Sequence, residues 1–163
     1  MDNADAVRLE LVVLYRTRAW QTIDVDLGPA GSGVVDFVEP TIPGLSAMGL
    51  RIPSPVRCLN LSEQVAQKLH ACTGPYSKGR ARDVLDILLI DLVGKMDAKA
   101  VRAAAENVFA QRATHNFPLE SRLPEEWESE LQALAKELCY PAASAAEIED
   151  RFRNCVERIA SAS

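Results

Sequence analysis

The sequence predicts a mixed α+β fold in which strands come first and helices follow. Residues 7–27 contain two runs that alternate between apolar and polar side chains, which is typical of half-buried strands. Residues 34–57 contain four prolines, and their spacing excludes a long helix. From Asn60 onward, apolar residues recur at helical spacing. We therefore expect a β-region with a proline-rich linker over residues 1–59 and a bundle of about five helices over residues 60–163.

The alternating runs at residues 7–15 and 19–27 predict an antiparallel hairpin, with residues 16–18 as its connection. Successive side chains of a strand point to opposite faces, so on the second strand Thr22, Asp24 and Asp26 share one face, and Ile23, Val25 and Leu27 share the other. A glycine-rich loop follows at residues 28–33, and residues 55–59 fit one more edge strand.

The helices are predicted from their start and stop signals. Asn60 and Glu63 form a capping box ahead of the first helix, and Gly74-Pro75 ends that helix. The second helix runs from about Ala81 to Val93, before Gly94. The remaining three helices are predicted from Asp97 to about Arg112, from Pro124 to about Leu138, and from Ser144 to about Ala160.

Composition narrows the class of function. The net charge is −5, so broad electrostatic binding to duplex nucleic acid is not expected, although contacts to a nucleotide or an RNA end need only a few basic residues. The longest apolar run, residues 84–93, is interrupted by two aspartates and is too short to span a bilayer. The four cysteines show no pairing pattern, which indicates reduced thiols in a cytoplasmic protein.

Asp24 and Asp26 are the first candidates for chemistry. They lie two apart on a strand, so their carboxylates project from the same face, about 7 Å apart along the chain. Carboxylate oxygens are natural ligands of Mg²⁺, and two such ions are able to clamp the oxygens of a phosphoryl transfer. The alternative is an ordinary solvated strand face, since short Asp-x-Asp strings are common and acids are exposed by default.

A second group of candidates lies at the ends of the first two helices. Lys68 flanks the apolar stripe of the first helix, from which it either reaches a phosphate or covers apolar surface. Arg80 and Arg82 stand at the entry of the second helix, where backbone N–H groups already favour an anion. Asp83 and Asp86 share one face of that helix. Asp83 has the alternative role of complementing the helix dipole, whereas Asp86 lies among apolar neighbours and needs a partner such as Lys68 or an arginine.

Two segments together carry a family pattern. Residues 63–71 read EQVAQKLHA, and after a short polar loop residues 80–86 read RARDVLD. This pair resembles the motifs of the AbiEii-type nucleotidyltransferase family, the toxins of type IV toxin–antitoxin and abortive-infection systems, with Arg82 where the family has lysine. Upstream, IDVDLG at residues 23–28 resembles the family's IDVxFG strand. The resemblance covers about residues 8–93.

The resemblance implies a fold, a reaction and roles. The fold would be a polymerase-β-like palm, of which residues 1–59 supply a part, followed by a helical bundle. The reaction would transfer a nucleoside monophosphate from a nucleoside triphosphate, with Mg²⁺, often onto RNA. Asp24 would be the third palm carboxylate, although the residues alone leave open whether Asp24 or Asp26 faces the site. Lys68 would reach the nucleotide phosphates beside Arg80 and Arg82, and Asp83 and Asp86 would lie near the base or sugar.

The chain also departs from the family pattern. The family opens with a Gly-Ser turn and an Asp-x-Asp pair, and neither precedes Asp24 here. The chain therefore resembles the C-terminal portion of such a toxin, and we expect it to be inactive or nearly so by itself, because phosphoryl transfer depends on positioning and charge stabilisation. The alternatives are a non-catalytic module that binds an antitoxin or a second copy through the strand at residues 7–15, and a mixed-structure domain in which the motifs are coincidental.

Overall fold

The computed structural model describes residues 7–27, 33–40, 44, 46–49, 55–94, 96–117 and 122–163. Contacts divide the chain into two compact units, Met1–Gly33 and Val34–Ser163. The described residues form two small antiparallel sheets and five α-helices, which confirms the α+β prediction. The division at residues 59 and 60 into a palm-like region and a helical region remains a prediction.

The first unit contains the predicted hairpin. Strand β1 spans Val7–Tyr15 and pairs antiparallel with β2, Arg18–Leu27. Arg16 and Thr17 form the turn with φ angles of 48° and 64°. Positive φ at both central residues is the geometry of a tight hairpin turn whose twist matches the flanking strands. The turn is one residue shorter than predicted, because Arg18 already belongs to β2, and the loop predicted after β2 lies outside the described residues up to Gly33.

The second unit begins with a short sheet that is attached to the first helix. Strand β3, Val35–Val38, pairs antiparallel with β4, Val56–Leu59, which confirms the predicted edge strand. Asn60 follows β4 and connects the sheet to the helix that starts at the next residue. Its backbone N–H donates to the Val34 carbonyl at 2.8 Å, its Nδ2 donates to Asp36 at 2.8 Å, and its Oδ1 accepts from the Ser62 N–H at 2.8 Å.

Five α-helices follow, close to the predicted positions: α1 Leu61–Thr73, α2 Ala81–Leu92, α3 Ala98–Arg112, α4 Glu128–Glu137 and α5 Ala145–Ser161. Asp97 and Ser144 cap α3 and α5 with their side chains, as predicted. Pro124 opens a 3-10 turn over Glu125–Trp127 instead of the first turn of α4, so α4 begins later than expected. None of the described helices has the length and apolarity that crossing a membrane requires.

The core of the second unit lies between the helices. Helix α1 packs against both α2 and α3, and α5 packs against α2, α3 and α4. The largest fully buried side chains are Leu69, Leu85, Ile87, Ile148, Phe152 and Ile159. Each contributes roughly 1.5–3 kcal/mol relative to an exposed position. Because α1 has a neighbour on each side, polar residues on its two flanks meet different partners, and this arrangement positions the sites described below.

The four cysteines are free thiols, as expected. Cys72 and Cys155 are buried, Cys58 is half-buried and Cys139 is exposed. Burial raises the pKa of Cys155 to about 11 and raises that of Cys72 still further, so neither thiol is a nucleophile near neutral pH.

Candidate functional site

Lys68 forms an ion-pair cluster with two carboxylates of the next helix. Its Nζ lies 2.9 Å from Asp83 Oδ1 and 2.7 Å from Asp86 Oδ2. The three residues come from the motif segments in α1 and α2. Fifteen and eighteen positions separate them in the chain, so only the packing of α2 on α1 brings them together. The partner that Asp86 was expected to need is therefore Lys68.

Local sequence explains why both aspartates face Lys68. Asp83 and Asp86 are three positions apart on α2, which places them on one face, about one helical turn from each other. Val84, Leu85 and Ile87 between and after them are buried in the core. The apolar face of α2 thus turns toward the bundle and carries the two carboxylates along its border, where α1 presents Lys68.

The cluster is partly shielded from solvent. The side chains of Lys68 and Asp86 are each 29% exposed, and that of Asp83 is 13% exposed. Burial opposes the charged form of Lys68, but hydrogen bonds and attraction from Asp86 and Asp83 outweigh it and raise the pKa of the lysine. Lys68 is therefore a fully charged ammonium at neutral pH. With one cation against two carboxylates, the three groups together carry a formal charge of −1.

The two arginines at the entry of α2 differ in their surroundings. Arg80 is exposed and its Nη1 lies 3.6 Å from Asp83 Oδ2, so it borders the Lys68 cluster. Arg82 is exposed and makes no ion pair within 4 Å among the described residues. Arg80 is the N-cap residue of α2 and its side chain makes no cap hydrogen bond, and Asp83 lies in the first turn. The dipole role considered for Asp83 therefore accompanies a direct contact with two cations.

Asp24 and Asp26 lie on β2 in the first unit and are both exposed. Asp26 accepts two hydrogen bonds from Arg8, at 2.6 and 2.9 Å, from the directly opposite position of β1. The Arg8 hydrogen bonds lower the pKa of Asp26. Asp24 stands opposite Glu10, so two like charges face each other on this sheet face. Sequence reasoning missed Glu10, although its position in the alternating pattern of β1 gave the signal.

These residues do not assemble a magnesium site as they stand. No group of three His, Cys, Asp or Glu side chains among the described residues is arranged to hold a metal ion. Mg²⁺ needs only one or two carboxylates when phosphates complete its shell. However, Arg8 engages both oxygens of Asp26. Asp24 has no ion-pair partner among the described residues, so it is the better candidate ligand of the two aspartates. Metal binding by Asp24 and Asp26 remains a prediction.

A second polar cluster, which sequence reasoning missed, lies on the other flank of α1. His70 is buried, and two positions on a helix turn its side chain about 200° away from that of Lys68. It meets Thr114 and Arg112 at the C-terminal end of α3, and His115 stacks beside it with ring centroids 4.7 Å apart. The two histidines are far apart in sequence, so no spacing rule identifies the pair.

The hydrogen bonds of this cluster run in one direction. Arginine only donates, so Arg112 Nη1, at 3.3 Å, requires an unprotonated Nδ1 on His70, and His70 Nε2–H then donates to Thr114 at 2.9 Å. At the other end, the Thr73 hydroxyl donates to the Leu69 carbonyl at 2.6 Å, so the 3.1 Å contact between His115 Nε2 and Thr73 is donated by the histidine. Thr114 completes the chain by donating to His115 Nδ1 at 3.0 Å.

Both histidines of this hydrogen-bond chain are neutral. Burial, with smaller contributions from Arg112 and His115, lowers the pKa of His70 to about 4. Burial also lowers the pKa of His115. The chain of hydrogen bonds therefore persists at neutral pH. It connects the end of α3 to the end of α1 and fixes the orientation of the Arg112 guanidinium.

Comparison with known proteins supplies the family. The model of the nucleotidyl transferase AbiEii toxin of type IV toxin–antitoxin systems matches residues 3–158, well beyond the motif segments at residues 8–93. No curated protein matches the chain significantly. The family match spans nearly the whole chain and includes Lys68, Asp83 and Asp86, which the fold brings into contact. The chain therefore belongs to the AbiEii nucleotidyl transferase toxin family.

Proposed function

We propose that the chain carries the nucleotide-handling part of a transferase site that moves a nucleoside monophosphate from a nucleoside triphosphate onto an acceptor such as RNA. The observation that supports this most is the contact of Lys68 with both Asp83 and Asp86, since these are the charged residues of the two motif segments. The family is one of nucleotidyltransferases, which gives the reaction class.

Lys68 keeps capacity for a phosphate in spite of its two carboxylate partners. An ammonium donates three hydrogen bonds, and Asp83 and Asp86 take two of them. The side chain is 29% exposed, and the third N–H is the one we assign to a phosphate oxygen. The carboxylates hold the ammonium in place, and this reduces the side-chain entropy that binding would otherwise cost.

Asp83 and Asp86 suit the donor-rich part of a nucleotide. A carboxylate only accepts hydrogen bonds and offers about four lone-pair positions on its two oxygens. Asp83 uses one oxygen for Lys68 and approaches Arg80 with the other, whereas Asp86 uses one oxygen for Lys68. The free positions of Asp86 are therefore available to ribose hydroxyls or a base amino group.

Asp24 and Asp26 are the candidates for the palm carboxylates that the family resemblance implies. Bound Mg²⁺ would neutralise phosphate charge during transfer. Because no Gly-Ser turn and no further Asp-x-Asp pair precede Asp24, we expect this chain alone to show little or no transfer. We further propose that the protein acts in the cytoplasm, where nucleoside triphosphates are found, and that an antitoxin is its partner.

Ligand-induced stabilisation tests the proposal without requiring activity. Melting temperature would be measured with and without a mixture of the four nucleoside triphosphates and Mg²⁺. A ligand at 100 times its Kd adds about 2.7 kcal/mol, which for a chain of this size raises the Tm by roughly 5–10 °C. We expect the rise to be lost in Lys68→Ala and kept in Lys99→Ala, an exposed helical lysine without an ion pair among the described residues. An equal rise in both variants would refute the role of Lys68.

A second candidate function is self-association through β1. Within the described residues β1 pairs only with β2, so its other edge carries unpaired backbone groups. The hairpin also exposes apolar side chains on one face, Val7, Leu9, Leu11, Ile23 and Leu27. An isolated two-stranded hairpin is marginal in water, so added strands would stabilise it. Light scattering after size exclusion should show a dimer, and Val12→Lys should convert it to a monomer. A wild-type monomer at every concentration would exclude this candidate.

A further inference from the structure

A pocket lies on the second unit beside the Lys68 cluster. It is lined by Arg80, Arg112, His70, Thr114 and Tyr76, together with backbone near Gly74. No aspartate or glutamate is among the described residues that line it. Arg80 borders both this pocket and Asp83, so the pocket adjoins the Lys68 cluster through this one side chain.

Arg112 lines the pocket and contacts His70 with its guanidinium group. Among the described residues no carboxylate lies within 4 Å of its guanidinium nitrogens. Its contact with His70 Nδ1 uses one of five N–H donors and fixes the plane of the group. Arg112 contacts a neutral histidine and has no carboxylate partner among the described residues, so its remaining N–H groups suit the forked recognition of a phosphate.

The Lys68 cluster and the neighbouring pocket differ in their charge. The Lys68 cluster has one cation against two carboxylates, so beyond one phosphate oxygen on the third ammonium N–H it accommodates little further negative charge. The pocket contributes two guanidinium groups, of which one is weakly paired with Asp83 at 3.6 Å. The phosphate groups that Lys68 does not contact therefore find a more favourable potential in the pocket, whereas the hydroxyls and amino groups of the nucleotide fit the carboxylates.

Size and shape limit what the pocket admits. Its volume of about 200 Å³ is below the roughly 300–1,000 Å³ of sites that enclose a drug-sized ligand. It thus fits a phosphate group rather than a whole nucleotide. The ring of Tyr76 stands at its edge and is 85% exposed. Unstacked bases bind to such exposed aromatic rings and to guanidinium planes.

We infer that the Arg80–Arg112 pocket is a phosphate subsite for a nucleotide whose base stacks on Tyr76. The inference rests on the proposed function, and it assigns to Arg112 and Tyr76 a binding role that the family motifs do not carry. The phosphate comes either from the nucleoside triphosphate or from the RNA acceptor. Both sources present the same oxygens to the two arginines, so experiment has to separate them.

Calorimetric titration of the full chain with three probes tests the inference: the nucleoside triphosphate mixture with Mg²⁺, a short mixed-sequence single-stranded RNA, and inorganic triphosphate. We expect Arg112→Gln to weaken binding of at least one phosphate probe by about ten- to hundredfold and to lower the salt slope by about one. Tyr76→Ala should weaken only probes that carry a base. Arg153→Gln, an exposed arginine that pairs with Asp150 on its own helix, is the matched control.

The outcomes are distinguishable. A loss confined to the triphosphate probes assigns the subsite to the triphosphate, and a loss confined to RNA assigns it to the acceptor; either supports the inference. Arg112→Lys should retain part of the affinity, which separates lost charge from damage to the fold. Wild-type affinity in both Arg112→Gln and Arg80→Gln, or no binding by the wild type, overturns the inference. If Arg112→Gln weakens binding whereas Lys68→Ala does not, the subsite stands and the proposed role of Lys68 fails.

Discussion

Replacing Lys68 by methionine isolates the contribution of its charge, because methionine keeps much of the length and the apolar stem. The substitution leaves two carboxylates, 13% and 29% exposed, that had shared one ammonium at 2.9 and 2.7 Å. Exposed ion pairs contribute about 0–1 kcal/mol, and breaking a buried pair costs about 3–5 kcal/mol. Because the cluster is partly buried, its cost should lie between that of an exposed pair and that of a buried pair, so we expect a loss of about 2–3 kcal/mol in the free energy of unfolding.

Urea denaturation at pH 7 measures this loss, and Lys99→Met provides the control. The two carboxylates are not equivalent, since Asp83 keeps Arg80 at 3.6 Å when the ammonium is removed, whereas no other cation contacts Asp86 among the described residues. Adding Asp86→Asn to the Lys68→Met variant should therefore restore more stability than adding Asp83→Asn. A loss below about 0.5 kcal/mol, as typical surface substitutions give, would refute the argument that the cluster is energetically coupled.

The dependence on pH provides an independent check. The carboxylates raise the pKa of Lys68 in the folded chain. A group with a raised folded pKa contributes stability that is complete below its unfolded pKa, about 10.4 for lysine, and is lost as the pH rises through the folded value. The difference between wild type and Lys68→Met should therefore be constant from neutral pH to about pH 10 and shrink above it. A difference that already disappears near pH 8 would contradict this assignment.

Three further predictions concern other parts of the molecule. The folded pKa of His70 is about 4, whereas the pKa of an unfolded histidine is about 6.5, so between these pH values the unfolded chain binds a proton at His70 and the folded chain does not. The free energy of unfolding should therefore fall with decreasing pH across this window, by at most about 1.4 kcal/mol per pH unit for this residue. An unchanged pH slope in His70→Asn would rule this out. A Cβ on Gly74 would lie 3.1 Å from both His115 Cε1 and the His70 carbonyl, so Gly74→Ala should lower the urea midpoint through a cost of about 1–3 kcal/mol, whereas an unshifted midpoint would show that the ring simply moves. Thr17 has a φ of 64° in the hairpin turn, a conformation that costs an L-residue about 1–2 kcal/mol. Thr17→Gly should remove this strain and slow amide hydrogen exchange across β1 and β2. Faster exchange than in wild type would show that Thr17 does not strain the turn.

Local sequence was sufficient to predict much of the fold. The alternation at residues 7–27 predicted the hairpin, and the caps Asn60, Asp97 and Ser144 start helices as expected. These features depend on backbone geometry within a few residues, which is why a pattern is able to specify them. Where the prediction differed, as at Pro124, a 3-10 turn competed with the first turn of the α-helix over a short distance.

What the sequence alone determined is which residues are available for chemistry: a lysine on α1, two aspartates one turn apart on α2, and the family to which these motifs belong. Only the tertiary structure decided which groups meet. It joined Lys68 to both aspartates and built the hydrogen-bond chain from Arg112 through His70 and Thr114 to His115. The physical reason is that helical periodicity fixes the face a side chain occupies, whereas its partner across the interface depends on how two distant segments pack, and nothing in local spacing encodes that contact.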